Sequence, residues 1–497
     1  MRYSGGMGIL RHIAVFGFSL ALLAACSPEK GRESERDLPD DASRPNILLV
    51  VLDTVRADRL GAYGDARAQT PNLDAFAHAA TLFENCMSSS CWTLPAHASL
   101  FTGMLPIAHQ ATQETLRLSD KFPTLAEIFA AHGYSVYGAS ANAVVSRTNG
   151  LDRGFPHFEE LYRSEVENSH RLPGRHPHDV ALEKWLSGRE DDRPFFAFLN
   201  FIEAHTPYWP PEPFLSRALL PQWTLQQGRA ASLQKTRDHY LLPEGLSDET
   251  IHIMSRLYDG EIAYLDWAFG KLAEMLEAHG FLDDTLIVVT SDHGEQFGEH
   301  DLVSHSFSLY EPLIDIPLMV RWPDGRNAGT RRADPVHLMD LFPSLLKVAG
   351  IRPAAAIHGV DIFTGPADGD RIRVAEYYYP RQMFSMLDPA LVATNLNRLA
   401  PFMQRLRAFR QGSQKFIWSS DGRHELFELS NDPGESHSVF EGENGALWKF
   451  NERFAERFAE GADLTPVPPK GWAGGGFEEN TDDLELLERL RALGYVD

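Results

Sequence analysis

The chain has 497 residues, more than one hydrophobic core usually organises, so a large domain with a smaller second lobe is expected. Its 69 acidic residues outweigh 46 basic ones, for a net charge of −23. That excess disfavours nucleic acid, whose phosphates need clustered Lys and Arg, and it reads as solubility; the 43% hydrophobic content supports a substantial core.

Residues 1–26 read as a targeting segment. Arg2 and Arg11 are basic, and the apolar run Ile13 to Ala25 is too short to span a bilayer. Leu23-Ala24-Ala25-Cys26 resembles a bacterial lipobox, which implies lipidation of Cys26; Ser27 then implies outer-membrane anchoring, facing the periplasm or the surface. The alternative is an ordinary secretory signal with a Cys at that position. Residues 27–44, charged and without apolar periodicity, read as a flexible tether. Cys26 is one of three cysteines; Cys86 and Cys91 either pair in an oxidising compartment or remain buried thiols.

The folded part is expected from Pro45, with a catalytic domain over 45–365 and a C-terminal α+β subdomain over 366–497. Ile47 to Leu52, Ser135 to Ala139, Phe195 to Leu199, Leu286 to Thr290 and Ile316 to Val320 are continuous apolar runs, the pattern of strands buried on both faces. Helices are predicted at Asn72 to Ala80, Leu125 to His132, Ala231 to Tyr240, Asp248 to His279 and Asp340 to Ala349. The fold class is therefore α/β, a large mostly parallel sheet between helices. Residues 209–246 form an insertion that either covers the site or elaborates the surface. Beyond about residue 365 the runs Arg407 to Arg410, Lys415 to Ser419 and Glu425 to Leu429 alternate, which implies a small antiparallel sheet. Leu484, Leu487, Leu490 and Leu493 form one apolar face of a closing helix.

In such a sheet, ligands bind beyond the carboxyl ends of the strands. The first run delivers Asp53; Phe195 to Leu199 leads to Asn200, Glu203 and His205; Leu286 to Thr290 delivers Asp292 and His293. Carboxylates, an imidazole and a hydroxyl together suit one divalent ion, Ca, Mg, Mn or Zn. In Thr93-Leu94-Pro95-Ala96-His97-Ala98-Ser99-Leu100-Phe101-Thr102-Gly103, Pro95 fits a first helical turn, which places Thr93 at the positive end of a helix, either as N-cap, as nucleophile or as both.

The Thr93 segment resembles the sulfatase signature. Pro45-Asn46-Ile47 through Asp58, Thr70-Pro71-Asn72-Leu73-Asp74, Phe201 to Tyr208, Ser291-Asp292-His293-Gly294-Glu295, Gly298-Glu299-His300, His305 to Glu311 and the Leu490 to Val496 ending also resemble the sulfatase family of the alkaline phosphatase superfamily. The resemblance implies that Asp53, Asp292 and His293 bind the metal and that Thr93 is both nucleophile and ligand. It further implies that His205 and His305 contact the transferred group or protonate the leaving oxygen. His109 and His300 read as structural.

Four departures qualify it. Thr93 stands where sulfatases carry the Cys or Ser that becomes formylglycine, and a β-branched threonine cannot form that aldehyde. His97 stands in place of the Arg that supports it, and Thr54 in place of a second metal-binding Asp. A Gly-Lys-Trp-His segment is replaced by Gly138-Ala139-Ser140-Ala141-Asn142, which leaves Asn142, with Glu203, as weak substrate-binding candidates. The expectation is a metal-dependent hydrolase of a phosphate or sulfate ester on a small molecule, glycan or lipid, working through a covalent Thr93 intermediate, with phosphoesters preferred on chemistry. Its alternatives are a sulfuric ester hydrolase working without formylglycine, an envelope phosphotransferase, and a non-catalytic metal-binding homologue.

Overall fold

A computed structural model describes residues 44–163, 174–234, 237–353, 356–380, 394–442 and 445–457. The targeting segment 1–26, the tether apart from Arg44, and the apolar tail Leu484 to Val496 lie outside the described residues. Among those described, no helix is long and apolar enough to cross a membrane.

A nine-stranded sheet runs in the order β10-β2-β9-β6-β1-β5-β3-β4, with β11 also paired to β2. In chain order the strands are β1 Asn46–Leu52, β2 Thr81–Met87, β3 Ser135–Ser140, β4 His157–Glu160, β5 Phe195–Phe201, β6 Thr285–Thr290, β9 Asp315–Arg321, β10 Arg331–Arg332 and β11 Val336–His337; β7 Gln296–Phe297 and β8 Val303–Ser304 form a separate hairpin. β1 lies at the centre, parallel to β5 and β6, and β3 continues parallel beyond β5. β9 runs antiparallel to both β6 and β2, so the sheet is mostly rather than wholly parallel.

The continuous apolar runs follow from burial on both faces. Leu48, Val50 and Leu52 of β1 enter one core, while Ile47, Leu49 and Val51 enter the other, as the two-residue period of a strand requires. Each such side chain contributes roughly 1.5–3 kcal/mol relative to exposure. The 31-residue helix Asp248–Ala278 covers the first face with Leu257, Leu265, Phe269 and Leu272, and Ser247 caps it by accepting from the Thr250 amide at 3.2 Å. The helices Thr93–Thr102, Leu125–Ala131 and Leu341–Val348 cover the other.

One predicted helix differs. Ala231 to Tyr240 is not continuous: Leu225–Ser232 ends there and a separate Arg237–Leu241 follows. β2, β4 and the helix Pro177–Ser187 were not read from sequence; Glu84 and Asn85 break the apolar run of β2 because that strand lies beside the sheet edge.

The expected antiparallel sheet is present as β12 Arg373–Tyr377, β13 Leu406–Gln411, β14 Gln414–Ser419 and β15 Glu425–Glu428, in that spatial order. Ala375, Tyr377, Ala408 and Ile417 share the core that contains Leu48 and Val50, so this sheet is packed into the main body. The fully buried Lys415 ammonium donates to Glu311 Oε1 at 2.9 Å and fixes the join. Cys86 and Cys91 are free, buried thiols.

Candidate active site

Because β3, β5, β1 and β6 are parallel neighbours, their carboxyl ends open on one edge, where Asn142, Asn200, Asp53 and Asp292 follow or end the strands. All four side chains are buried. Asp53 Oδ2 accepts from Asn142 Nδ2 at 2.7 Å and from Asn200 Nδ2 at 3.3 Å. Asp292 Oδ1 accepts from the amides of Thr54 at 3.2 Å and His293 at 2.9 Å. The two remaining oxygens, Asp53 Oδ1 and Asp292 Oδ2, are buried with no hydrogen-bond partner. One ligand atom each from Asp53, Asp292 and His293 fall within 4.8 Å of one another.

Two orphaned carboxylate oxygens beside an imidazole are what a divalent cation would satisfy, and these residues fit that group. Burial, reinforced by the neighbouring Asp292, pushes the Asp53 carboxyl up to about 8, and burial takes Asp292 to about 7. Burial also lowers His293, which keeps its imidazole neutral and able to ligate. His293 Nδ1–H donates to the Gly294 carbonyl at 3.0 Å, which leaves Nε2 as the acceptor edge; Thr93 Oγ–H donates to it at 3.2 Å. The structure thus brings Asp53, Thr93, Asp292 and His293 together.

Thr93 is the first residue of a helix whose ten residues are all buried, and Trp92, one position earlier, occupies the N-cap. The Thr93 hydroxyl is therefore not the cap but lies inside the first turn, facing His293. His97, one turn on, donates Nδ1–H to the Thr93 carbonyl at 3.0 Å and lies edge-on to Phe101 and Phe198. Burial takes it down to about 3 and keeps it neutral. Thr54 has left-handed φ of 61°, rare for a β-branched residue, and its Oγ is 2.7 Å from the Ala204 carbonyl, turned into the backbone rather than toward the carboxylates.

His205 and His305 lie beside this centre with their rings tilted against each other. Their ring centroids are 4.9 Å apart, and that of His305 is 4.7 Å from His293. His205 donates Nδ1–H to the Thr206 carbonyl at 2.7 Å, and burial lowers it to about 3. Glu295, which sequence reasoning did not single out, has both carboxylate oxygens 3.2 Å from His305 Nδ1 and accepts from Tyr208 at 2.7 Å. A carboxylate two residues beyond a predicted ligand was the available signal.

Glu203 belongs elsewhere: His176 Nε2–H donates to it at 2.8 Å. His176, His178 and Glu203 form a second cluster of potential ligands, but the two imidazole planes are parallel within 10° and their centroids 5.2 Å apart. Their Nε2 atoms are committed elsewhere, that of His176 to Glu203 and that of His178 to the Asn200 carbonyl, each at 2.8 Å, and the cluster reads as a closed hydrogen-bond network. His109 is held by Ser99 and the Ala111 amide, and His300 stacks on Tyr310, both outside the centre.

A buried hydroxyl facing a carboxylate-imidazole centre at the carboxyl edge of an α/β sheet defines an ester hydrolase of metal-dependent type. The family model for Sulfatase matches residues 45–351, and the chain belongs to that family. It is 26% identical over 363 residues to an ulvan-active sulfatase of Formosa agariphila, covering 65% of each chain. It is also 26% identical over 402 residues to the multifunctional alkaline phosphatase superfamily protein PehA of Trinickia caryophylli, covering 66% of this chain and 78% of that one. The phosphonate monoester hydrolase of Agrobacterium radiobacter shares the fold, with a TM-score of 0.65 and 22% identity over 85% of this chain and 97% of that one.

Proposed function

We propose that this protein hydrolyses a phosphate or sulfate ester through a covalent adduct on Thr93, with phosphoesters preferred. The observation that carries the reading is the Thr93 hydroxyl, buried at the start of a helix, 3.2 Å from His293 Nε2 and beside two orphaned carboxylate oxygens. Asp53, Asp292 and His293 would hold a divalent cation, which when bound would supply positive charge favouring the alkoxide of Thr93 and offsetting charge on the transferred group.

Thr93 Oγ gives up its proton to Nε2 of His205 or His305 and attacks phosphorus or sulfur; the bond to the ester oxygen breaks, and the departing alcohol takes that proton from the same imidazole. At the N-terminus of this helix the amides of Thr93 and Leu94, Pro95 having none, would favour negative charge on the nonbridging oxygens of the transferred group. His97, neutral and committed to the Thr93 carbonyl, holds the nucleophile's turn instead of exchanging protons. Asn142 and Asn200 orient Asp53. Threonine Cβ carries a single oxygen, so the adduct lacks the second hydroxyl through which a formylglycine hydrate eliminates, and water attacks the phosphorus or sulfur instead.

That chemistry supports the phosphoester, as does similarity to a protein named as a multifunctional member of the alkaline phosphatase superfamily. The second reading, a sulfate ester, is supported by the family and by similarity to the ulvan-active sulfatase, whose name points to a glycan. Incubation with aryl phosphate, phosphodiester, phosphonate monoester and aryl sulfate, followed by mass spectrometry of the quenched protein, separates them. Phosphorylated Thr93 is the expected result; turnover that survives in Thr93→Ala overturns the reading.

The lipobox-like Leu23-Ala24-Ala25-Cys26 supports a further part of the reading, an envelope lipoprotein anchored through Cys26. Labelled palmitate should enter the wild-type chain and not Cys26→Ala.

A further inference from the structure

Release of a threonine adduct by water needs a base, and the Glu295-His305 pair has the form of one. Glu295 is fully buried. Its Oε1 and Oε2 both lie 3.2 Å from His305 Nδ1, and Oε2 accepts from Tyr208 at 2.7 Å. Its backbone is fixed as well: the Glu295 carbonyl accepts from Arg56 Nη1 at 2.9 Å, and the preceding Gly294 passes so close to Pro312 that a Cβ there would lie 2.0 Å from the Pro312 carbonyl oxygen. Tyr208 is wedged against Tyr258 and Phe297, with centroid distances of 5.8 and 5.7 Å. The carboxylate therefore has little freedom, and it meets the imidazole on one nitrogen.

A carboxylate on Nδ1 selects the tautomer with hydrogen there and leaves Nε2 as the nitrogen that exchanges protons with a reactant. The His305 ring is 4.7 Å from that of His293, which receives the Thr93 hydroxyl. We propose that Glu295 is a positioning residue for the second half of the reaction, holding His305 so that Nε2 takes a proton from the water that releases the Thr93 adduct.

The inference rests on the covalent Thr93 reading, and its atoms balance. Water oxygen forms a bond to phosphorus (or sulfur) as the bond to Thr93 Oγ breaks; the electron pair returns to Oγ, and one water proton passes to His305 Nε2. That proton then passes to Thr93 Oγ and restores its hydroxyl. Glu295 touches no reactant and acts through His305.

The test is rapid-quench kinetics on the metal-loaded, full-length enzyme with an activated aryl phosphate and an aryl sulfate, reading both released phenol and modified Thr93. In Glu295→Gln, adduct release should slow by about 10²-fold and modified Thr93 should accumulate, while the initial burst of phenol, whose activated oxygen departs without needing the His305 proton, stays within roughly threefold of wild type. His305→Gln should show the same accumulation. Equal slowing of burst and release, or wild-type release, overturns the inference; absence of modified Thr93 in every variant instead overturns the covalent reading beneath it. Should Glu295→Gln not fold, ¹⁵N shifts of His305 in the wild-type enzyme, assigned by comparison with His305→Gln, decide the matter: neutral Nδ1–H supports the inference and Nε2–H overturns it.

Discussion

Asn142 Nδ2 donates to Asp53 Oδ2 at 2.7 Å and leaves Asp53 Oδ1 facing the centre without a partner. With Asn200, which donates to the same oxygen at 3.3 Å, it divides the carboxylate into a held oxygen and one left for a ligand. Asn142→Ala should weaken divalent metal binding by about 10–100-fold with the fold intact, since partners of ligands typically matter by that factor. Isothermal titration of the metal-stripped protein checks it; wild-type affinity contradicts it.

Removal of the nucleophile should be far more costly than removal of a ligand's support. Thr93→Ala is expected to lose about 10⁴-fold or more in kcat and to bind metal still, whereas Thr93→Ser should keep measurable turnover because the hydroxyl remains. Serine also lacks the methyl at Cβ, so recovery of activity in that variant reads out the nucleophile and not the packing.

Gly294 sits between the ligand His293 and Glu295, with the Pro312 carbonyl 2.0 Å from where a Cβ would stand. Backbone cannot yield as a flexible side chain can. Gly294→Ala should destabilise by about 3 kcal/mol, at the upper end of overpacking costs, seen as a shifted urea midpoint.

Glu203 gives a pH prediction. Burial tends to raise its carboxyl, but the His176 partner outweighs that and holds it down at about 2, against 4.5 ordinarily. A depressed folded pKa means the unfolded chain binds more protons between those values, so stability rises with pH through that window. The contribution is complete above about 4.5 and is lost as pH falls toward about 2. Glu203→Gln should therefore cost about 2 kcal/mol at pH 6 and progressively less at pH 4 and pH 3, measured by urea unfolding. A gap that widens on acidification contradicts the pairing of Glu203 with His176.

Much of the fold was legible because β1, β5, β6 and β9 are buried on both faces, and such burial writes unbroken apolar runs into a sequence. β2 escaped notice because its pairing at the side of the sheet tolerates Glu84 and Asn85. Ala231 to Tyr240 carried helical periodicity, but local pattern does not decide whether neighbouring turns join. The strand-end residues Asp53, Asp292 and His293 were readable from position in a parallel sheet. The roles of Asn200 and Glu295 were not, since their partners are 147 and 10 residues away in the chain.

The sequence by itself determined the layer architecture and the residue types of the centre, because strand burial and strand-end placement are local consequences of composition and period. It also determined that Thr93 cannot become an aldehyde, since that is covalent chemistry. Only the tertiary structure decided which oxygen of each carboxylate is left unpaired, that Thr93 is inside the helix instead of capping it, and that Glu203 belongs to His176 while Glu295 belongs to His305. Those assignments turn on hydrogen-bond geometry a few ångströms across, between groups that the packing of β1, β5 and β6 brings together, and a linear pattern carries no record of it.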